Sequence, residues 1–144
     1  MKPTDIALSQ LLGVSPAPPG AAHLLELPLR APLLNHLGTV HAAAQFALAE
    51  AASAECLLRH FGELAGEVRA VVRSAEVKYR RPASGDLLAF GHPDEATRRD
   101  LLADLAARGR AAAVILIDLK DRAGTLTFHG KFVWFISRSL SPTA

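Results

Sequence analysis

The sequence predicts an α+β fold in which an antiparallel sheet wraps around one long central helix. The first observation is residues 42–54, where every position is apolar or small except Gln45 and Glu50. A helix without a polar face must be buried almost all round, and a chain of 144 residues can bury one mainly by wrapping a sheet around it. The second observation is a series of alternating or continuous apolar runs after residue 62, which are typical of strands.

The composition is that of an ordinary globular protein, with 50% hydrophobic and 21% charged residues. A net charge of +2, without a basic run that contains aromatic residues, does not indicate nucleic-acid binding. A lone cysteine, Cys56, rules out an intrachain disulfide and fits a reducing compartment. No apolar run has the length of a membrane span, and the first ten residues lack the apolar segment of a secretory signal. We therefore expect a cytoplasmic protein that binds neither membrane nor nucleic acid.

The N-terminal part of the chain predicts a short helix, a linker and one strand. Residues 3–12 form the helix, and residues 13–20, with three of the nine prolines, form the linker. Residues 21–30 predict the first strand, which Pro28 restricts to an edge or an irregular position because proline cannot donate to the ladder. The expected organisation is a lead-in at residues 1–20, one domain at residues 21–138 and a C-terminal tail at residues 139–144.

Four strands follow the central helix, which ends near Gly62. Residues 67–80 alternate between apolar and polar positions, but the phase changes near Arg73 and Ser74. A β-bulge there would place both apolar sets on one face of the strand. The other three strands are predicted at residues 87–92, 111–119 and 125–136, with a hairpin turn at residues 121–124.

A second helix is predicted between these strands, at residues 94–108. Asp94 is placed to cap its N-terminus, and Gly109 is placed to end it. Its apolar stripe is expected to consist of Leu101, Leu102 and Leu105, with many charged residues on the opposite, solvated surface.

Two features of the central helix suggest chemistry. Glu50 is a carboxylate within a buried alanine-rich helix, where an unpaired charge is unfavourable. The N–H groups of Ala42 and Ala43, at the helix N-terminus, have no intrahelical partner and are suited to stabilise an oxyanion. Nine residues separate Glu50 from His41, so the helix advances about 13 Å and half a turn between them. If both belong to one site, two chains must build it.

Two sequence motifs resemble those of the hotdog-fold acyl-CoA thioesterases of the phenylacetate-pathway type. The first motif has an asparagine, a histidine, a phenylalanine and an acidic residue nine positions after the histidine, here Asn35, His41, Phe46 and Glu50. The second is a Tyr-x-Arg-Pro-x-x-Gly-Asp-Leu run, here Tyr79, Arg81, Pro82, Gly85, Asp86 and Leu87. The sequence differs from the family at the two glycines after the histidine, which are Ala42 and Ala43.

The resemblance implies a hotdog fold and hydrolysis of an acyl-CoA thioester, with coenzyme A as part of the substrate and no separate cofactor. It implies a homodimer or a dimer of dimers, with Glu50 of one subunit facing the His41 region of the other. Glu50 would be the base or nucleophile, supported by Asn35 and His41, with the Ala42 and Ala43 N–H groups as the oxyanion site. The residues predicted to bind substrate are Gln45, Phe46, Tyr79 and Arg81.

Each of these residues also has a purely structural interpretation. Glu50 could be a structural carboxylate hydrogen-bonded across an interface, His41 could cap the helix, and Asn35 could fix a turn. Gln45 could be an interface contact, and Phe46 could belong to the core, as could Phe132 and Trp134. Arg81, predicted to bind a phosphate of coenzyme A, could be structural. The histidines show no metal-ligand spacing, so no metal is expected.

Two other functions remain open at this point. A non-catalytic hotdog module that binds acyl-CoA or another apolar acid is favoured by the alanines in place of glycines. A structural dimerisation domain without a ligand is the third hypothesis. A rise in melting temperature on adding acyl-CoA would separate it from the other two.

Overall fold

The protein is described by a computed structural model over residues 1–139. Three α-helices are present: α1, Ala7–Leu12; α2, Ala42–Phe61; and α3, Glu95–Arg108. The six strands are β1, Ser15–Pro16; β2, Leu25–Leu27; β3, Val68–Tyr79; β4, Leu87–Pro93; β5, Arg110–Lys120; and β6, Leu126–Arg138. Short 3-10 helices occupy Pro3–Asp5, Ala31–Leu33 and Gly62–Leu64. Except for Ser139, the predicted tail at residues 139–144 lies outside the described residues.

The strands form one antiparallel sheet in the order β1-β2-β4-β5-β6-β3. Helix α2 packs across β2, β4, β5 and β6. The α+β prediction with one long central helix is therefore confirmed. Within residues 1–139 no helix is both long enough and apolar enough to cross a membrane.

Strand β3 contains the predicted bulge. Its register against β6 shifts between Val72 and Ser74, which leaves Arg73 as the extra residue. Val72 and Val77, on either side of the bulge, are both partly buried, as the phase change in the sequence predicts. Strand β3 lies at the edge of the sheet, so one side of its twelve-residue backbone has no strand partner among the described residues.

The N-terminal strands differ from the prediction. The strand expected at residues 21–30 is confined to β2, because the chain leaves the ladder at Pro28, which lacks a backbone N–H. The segment expected to be a linker contributes β1, whose Ser15 and Pro16 pair with Glu26 and Leu25. Residues before position 20 are therefore part of the sheet.

Helix α3 begins and ends where the sequence predicts. The Asp94 carboxylate accepts a hydrogen bond from the Thr97 N–H, and Gly109 ends the helix with a φ of 68°, a left-handed conformation that favours glycine. Leu101 and Leu105, four residues apart, are buried. The prediction for Leu102 is wrong: it is 47% exposed, because it lies about 100° around the helix from Leu101.

The core lies between α2 and the facing side of the sheet. Strand β6 buries alternate side chains there, including Phe128, Phe132 and Trp134. Gly130 lies between the two phenylalanines, and a Cβ at this position would come within 2.7 Å of a Phe132 ring carbon and 2.9 Å of a Phe128 ring carbon. This close packing explains why the strand has a glycine on its buried face.

Candidate active site

The N-terminus of α2 is capped by His41. The imidazole Nδ1 accepts a hydrogen bond from the Ala43 N–H at 2.9 Å, which requires an unprotonated Nδ1. The preceding N–H, that of Ala42, has no acceptor within residues 1–139. Of the two predicted oxyanion donors, one is therefore free and the other is occupied by the side chain of the capping histidine.

Asn35 shapes the loop that leads into this helix. Its Oδ1 accepts from the N–H groups of Leu37, at 2.9 Å, and Thr39, at 3.1 Å. Its Nδ2 donates to Thr39 Oγ1 at 2.9 Å. Asn35 thus has the contacts of the turn role that the sequence left open.

The end of β3 lies against the first turn of α2. The Tyr79 hydroxyl donates to the Ala42 carbonyl oxygen at 3.2 Å, and its ring packs edge-on against Phe128 with 5.3 Å between centroids. Partial burial raises the pKa of the Tyr79 phenol. Just beyond the strand, Arg81 is exposed.

These elements enclose a cleft of about 400 Å³ between the Asn35 loop and the segment after β3. It brings together five of the predicted site residues: Asn35, Ala42, Gln45, Tyr79 and Arg81. The other lining residues are Leu37, Thr39, Val40, Arg80, Pro82 and Ala83. The remaining predicted residues do not line the cleft: His41, Ala43, Phe46 and Glu50.

Gln45 is the buried polar residue of this cleft, with only 5% of its surface exposed. Its Nε2 donates to the Val40 carbonyl oxygen at 3.2 Å. Its Oε1 is the one buried side-chain polar atom in the described part of the chain without a hydrogen-bond partner. An unpaired buried acceptor is unfavourable, so we expect a ligand or a water to donate a hydrogen bond to this atom.

Glu50 lies on α2 but outside the cleft. It is about half-buried, and no hydrogen bond or ion pair to its carboxylate occurs within residues 1–139. Burial raises the pKa of this carboxyl above its ordinary value. Because the carboxylate is nine residues from His41 along the helix, one chain cannot bring Glu50 to the free N–H of Ala42.

The helix face that carries Glu50 is incompletely covered. Phe46, Ala47 and Ala54 on this face are each partly exposed, although the sequence predicted burial almost all round. The Phe46 ring packs against Phe132 with 5.6 Å between centroids, which ties the residue to the core.

Where α2 faces β6, it contains a polar pair that sequence reasoning missed. The Trp134 indole N–H donates to Ser53 Oγ at 3.0 Å, and the Ser53 hydroxyl donates to the Glu50 carbonyl oxygen at 2.7 Å. A serine within an alanine-rich buried helix was the available signal, because a buried hydroxyl needs a partner.

Asp86, from the second motif, has a structural contact. Its carboxylate accepts from the Leu29 N–H at 2.8 Å and from Arg122 Nε at 3.2 Å. The Leu29 N–H first, and then the Arg122 guanidinium, hold the pKa of this carboxyl below its ordinary value. Asp86 therefore ties the end of β2 to the start of β4. Among the described residues, no group of three or more His, Cys, Asp or Glu side chains could hold a metal ion.

The structure is similar to that of a Pseudomonas aeruginosa protein of unknown function described as a probable thioesterase, with 25% sequence identity and a TM-score of 0.79 over 94% of this chain and 89% of that one. A thioesterase from Haemophilus influenzae has 17% identity and a TM-score of 0.74 over 98% of this chain and 90% of that one. A Bacillus halodurans protein crystallised with CoA has 18% identity and a TM-score of 0.62 over 78% of this chain and 69% of that one. No curated protein matches the sequence.

The chain thus has the hotdog fold of the thioesterase superfamily, and the resemblance that its two sequence motifs carry is confirmed. Within that fold, residues 17–136 match the family described as a domain of unknown function, DUF4442, and the chain belongs to this family.

Proposed function

We propose that this protein hydrolyses an acyl-CoA thioester to a free acid and CoA. The observation that carries the proposal is Glu50, a half-buried carboxylate with a raised pKa and no partner within residues 1–139. A chain that placed a charge there only for stability would pair it, since an unpaired carboxylate destabilises the fold. Structural neighbours described as thioesterases, and one crystallised with CoA, support the same conclusion.

The proposed site is built by two copies of the chain. Glu50 of one subunit would face the Ala42 N–H of the other, since the two groups lie about 12 Å apart along one helix. The incompletely covered face of α2 and the unpaired edge of β3 give a second copy a surface to bind. A homodimer is the smallest assembly that meets this requirement, and a dimer of dimers preserves it.

The chemistry of hydrolysis assigns a task to each group. With Glu50 as base, its carboxylate takes a proton from water while the water oxygen bonds to the thioester carbon. The carbonyl oxygen becomes an oxyanion, and the free N–H of Ala42 donates to it with support from the helix dipole. When the oxyanion collapses, the carbon–sulfur bond breaks and the protonated Glu50 returns its proton to the CoA thiolate.

The cleft beside Ala42 would hold the thioester end of the substrate. Arg81 and Arg80, exposed at its rim, would pair with CoA phosphates, for which arginine is suited. Asn35 supports the site by fixing the loop that precedes the helix. Coenzyme A enters as part of the substrate, and the reaction as written needs no other cofactor.

Glu50→Gln tests this function, with Glu55→Gln as the matched control on the same helix. Glu55 has a partner, since its carboxylate accepts from Arg59 Nε at 2.9 Å. Turnover of aryl-, short- and long-chain acyl-CoAs should fall about a hundredfold or more in Glu50→Gln, at unchanged oligomeric state, and remain within a few-fold in the control. Equal turnover in Glu50→Gln and wild type would remove Glu50 from the reaction.

A single-turnover experiment in H₂¹⁸O tests the nucleophile role of Glu50, because only that role can place the label in the protein. If Glu50 is the base, the label enters the free acid and not the protein. If Glu50 is the nucleophile, hydrolysis of the acyl-enzyme leaves one ¹⁸O in its carboxylate when water attacks at the glutamyl carbonyl, and mass spectrometry of the peptide shows it.

A binding module without catalysis is the second candidate, because the Ala43 N–H is already bonded to His41 Nδ1. This hydrogen bond leaves one oxyanion donor rather than two. Absence of turnover on every substrate, together with a melting temperature that acyl-CoA still raises, would establish this second function.

A further inference from the structure

Two residues that line the cleft beside the first turn of α2 each have one unpaired hydrogen-bonding group. One group is a backbone donor and the other is a side-chain acceptor. The Ala42 N–H is a donor without an acceptor within residues 1–139, and Gln45 Oε1 is a buried acceptor without a donor. Both residues line the same cleft. A ligand that satisfies both groups must present an acceptor and a donor close together.

The Gln45 amide is held in one orientation. Its Nε2 donates to the Val40 carbonyl oxygen, so exchanging the two ends of the amide would bring two oxygens together. Oε1 is therefore the end left for a ligand.

The spacing limits where the ligand donor lies. Ala42 and Gln45 are three residues apart on the helix, so their Cβ atoms are about 5–6 Å apart. A thioester whose carbonyl oxygen accepts from Ala42 would thus have its donor a few bonds from the carbonyl carbon. Two parts of an acyl-CoA meet this condition: a hydroxyl at position 2 or 3 of the acyl chain, and the nearest amide N–H of the pantetheine arm.

We infer that Gln45 selects thioesters with an O–H or N–H donor beside the thioester carbonyl, by accepting that donor on Oε1. This inference rests on the proposed thioesterase function and adds a specificity-determining residue to it. A substrate without the donor leaves a buried acceptor unpaired, and sites of this kind discriminate strongly against such analogues.

The first measurement compares two substrate pairs on the wild-type protein. One pair is butyryl-CoA against 2-hydroxybutyryl- and 3-hydroxybutyryl-CoA, which differ in the acyl hydroxyl. The other is the butyryl thioester of N-acetylcysteamine against its N-methyl analogue, which lacks the amide N–H. We expect kcat/KM to be about tenfold or more higher for the donor-bearing member of one pair. That pair identifies the source of the donor.

The second measurement repeats both pairs on Gln45→Met, with Leu48→Met as the control. Methionine keeps an unbranched chain of similar length and removes the acceptor, while Leu48 is buried on the same helix and has no polar atom. The discrimination should disappear in Gln45→Met and persist in Leu48→Met. If both pairs give equal kcat/KM in wild type, or if Gln45→Met keeps the wild-type ratio, the inference is wrong.

Failure of this inference is distinguishable from failure of the proposed function. Gln45→Met should alter the ratio between substrates, whereas Glu50→Gln should lower turnover of all of them. If wild type hydrolyses none, the CoA pair is compared by the rise in melting temperature at equal concentration. The pair of N-acetylcysteamine thioesters is compared in the same way. A larger rise with the donor-bearing member of either pair supports the role of Gln45 in a binding module, and equal rises within both pairs overturn it. The wild-type comparisons also decide the matter if Gln45→Met does not fold.

Discussion

The two faces of helix α2 differ in how completely the chain satisfies them. Toward the sheet, Leu48, Ala52 and Ser53 have no exposed surface, and the Ser53 hydroxyl both accepts from Trp134 and donates to a carbonyl. Away from the sheet, Ala47 and Ala54 are partly exposed and Glu50 has no bonding partner within residues 1–139. We call the face toward the sheet, where the polar groups have partners, the finished face. The face that carries Glu50, which has no partner, is the unfinished face.

The difference between the two faces is consistent with the function proposed for Glu50. On the sheet face even the thiol is inactive, because burial raises the pKa of Cys56 to about 12 and keeps it protonated. On the other face, a carboxylate remains where it weakens the isolated fold. Natural proteins retain such unfavourable groups mainly at functional sites.

The largest expected effect is loss of activity without loss of stability, from Ala42→Pro. Proline is favoured at the first helical position, and the ψ of 140° at His41 is compatible with a following proline. The substitution removes the free N–H without breaking an intrahelical hydrogen bond, so kcat should fall about a hundredfold, as when an oxyanion donor is lost. Steady-state kinetics and thermal melting measure the two quantities.

Ala42→Ser is the matched control for this experiment, since it changes the side chain and keeps the N–H. Turnover should stay within a few-fold of wild type. Equal loss of activity in the two variants would show that the side chain, and not the N–H, matters at this position.

A smaller effect, on stability, is expected from Ser53→Ala on the finished face. The substitution leaves the Trp134 indole N–H buried without an acceptor, which costs about 1–3 kcal/mol in the free energy of unfolding. Ala54→Ser, the next residue and on the unfinished face, adds a hydroxyl and should change stability by less than about 0.5 kcal/mol. Urea denaturation measures both, and equal losses would contradict the distinction between the faces.

The smallest expected effect concerns the pH dependence of stability in Glu50→Gln. Because folding raises the pKa of Glu50, the folded state binds this proton more tightly than the unfolded state does. The stabilisation from this proton is complete below the unfolded pKa of about 4.5 and is lost as pH rises through the folded pKa. Glu50→Gln should therefore match wild type near pH 4 and melt higher at pH 7.

Melting curves of both proteins, at one protein concentration across this pH range, measure the difference. A Glu50→Gln variant that melts lower than wild type at pH 7 would give the opposite sign. That result would mean that the assembled protein supplies a donor to the carboxylate, and the second face would then be finished by a partner subunit.

Much of the fold was predictable from local pattern. The phase change near Arg73 predicted the bulge, because side chains in a strand alternate with a period of two. Asp94 and Gly109 predicted the ends of α3, because an N-cap carboxylate and a left-handed glycine satisfy helix termini locally. Leu102 was wrongly assigned to the buried stripe of α3, because the stripe was predicted from residue type without considering each residue's angle around the helix.

The sequence predicted which residues belong to the candidate site better than it predicted how they are arranged. The motif predicted Asn35, Tyr79 and Arg81, which the structure brings to one cleft. It did not predict that His41 would occupy the Ala43 N–H, nor that Gln45 would keep an unpaired oxygen. Both depend on distances of about 3 Å between groups whose positions are set by the packing of several elements.

The sequence by itself determined the long buried helix, the strands around it and the carboxylate at position 50, because apolar period, turn residues and an isolated charge are properties of consecutive residues. The tertiary structure decided which polar groups of that helix are satisfied. Trp134 reaches Ser53 across 81 positions of sequence, while Gln45 Oε1 and Glu50 remain without partners within residues 1–139. A hydrogen bond requires two groups within about 3 Å in space, whatever their separation along the chain. Only the folded arrangement therefore shows which polar groups have a structural partner and which are available to a ligand.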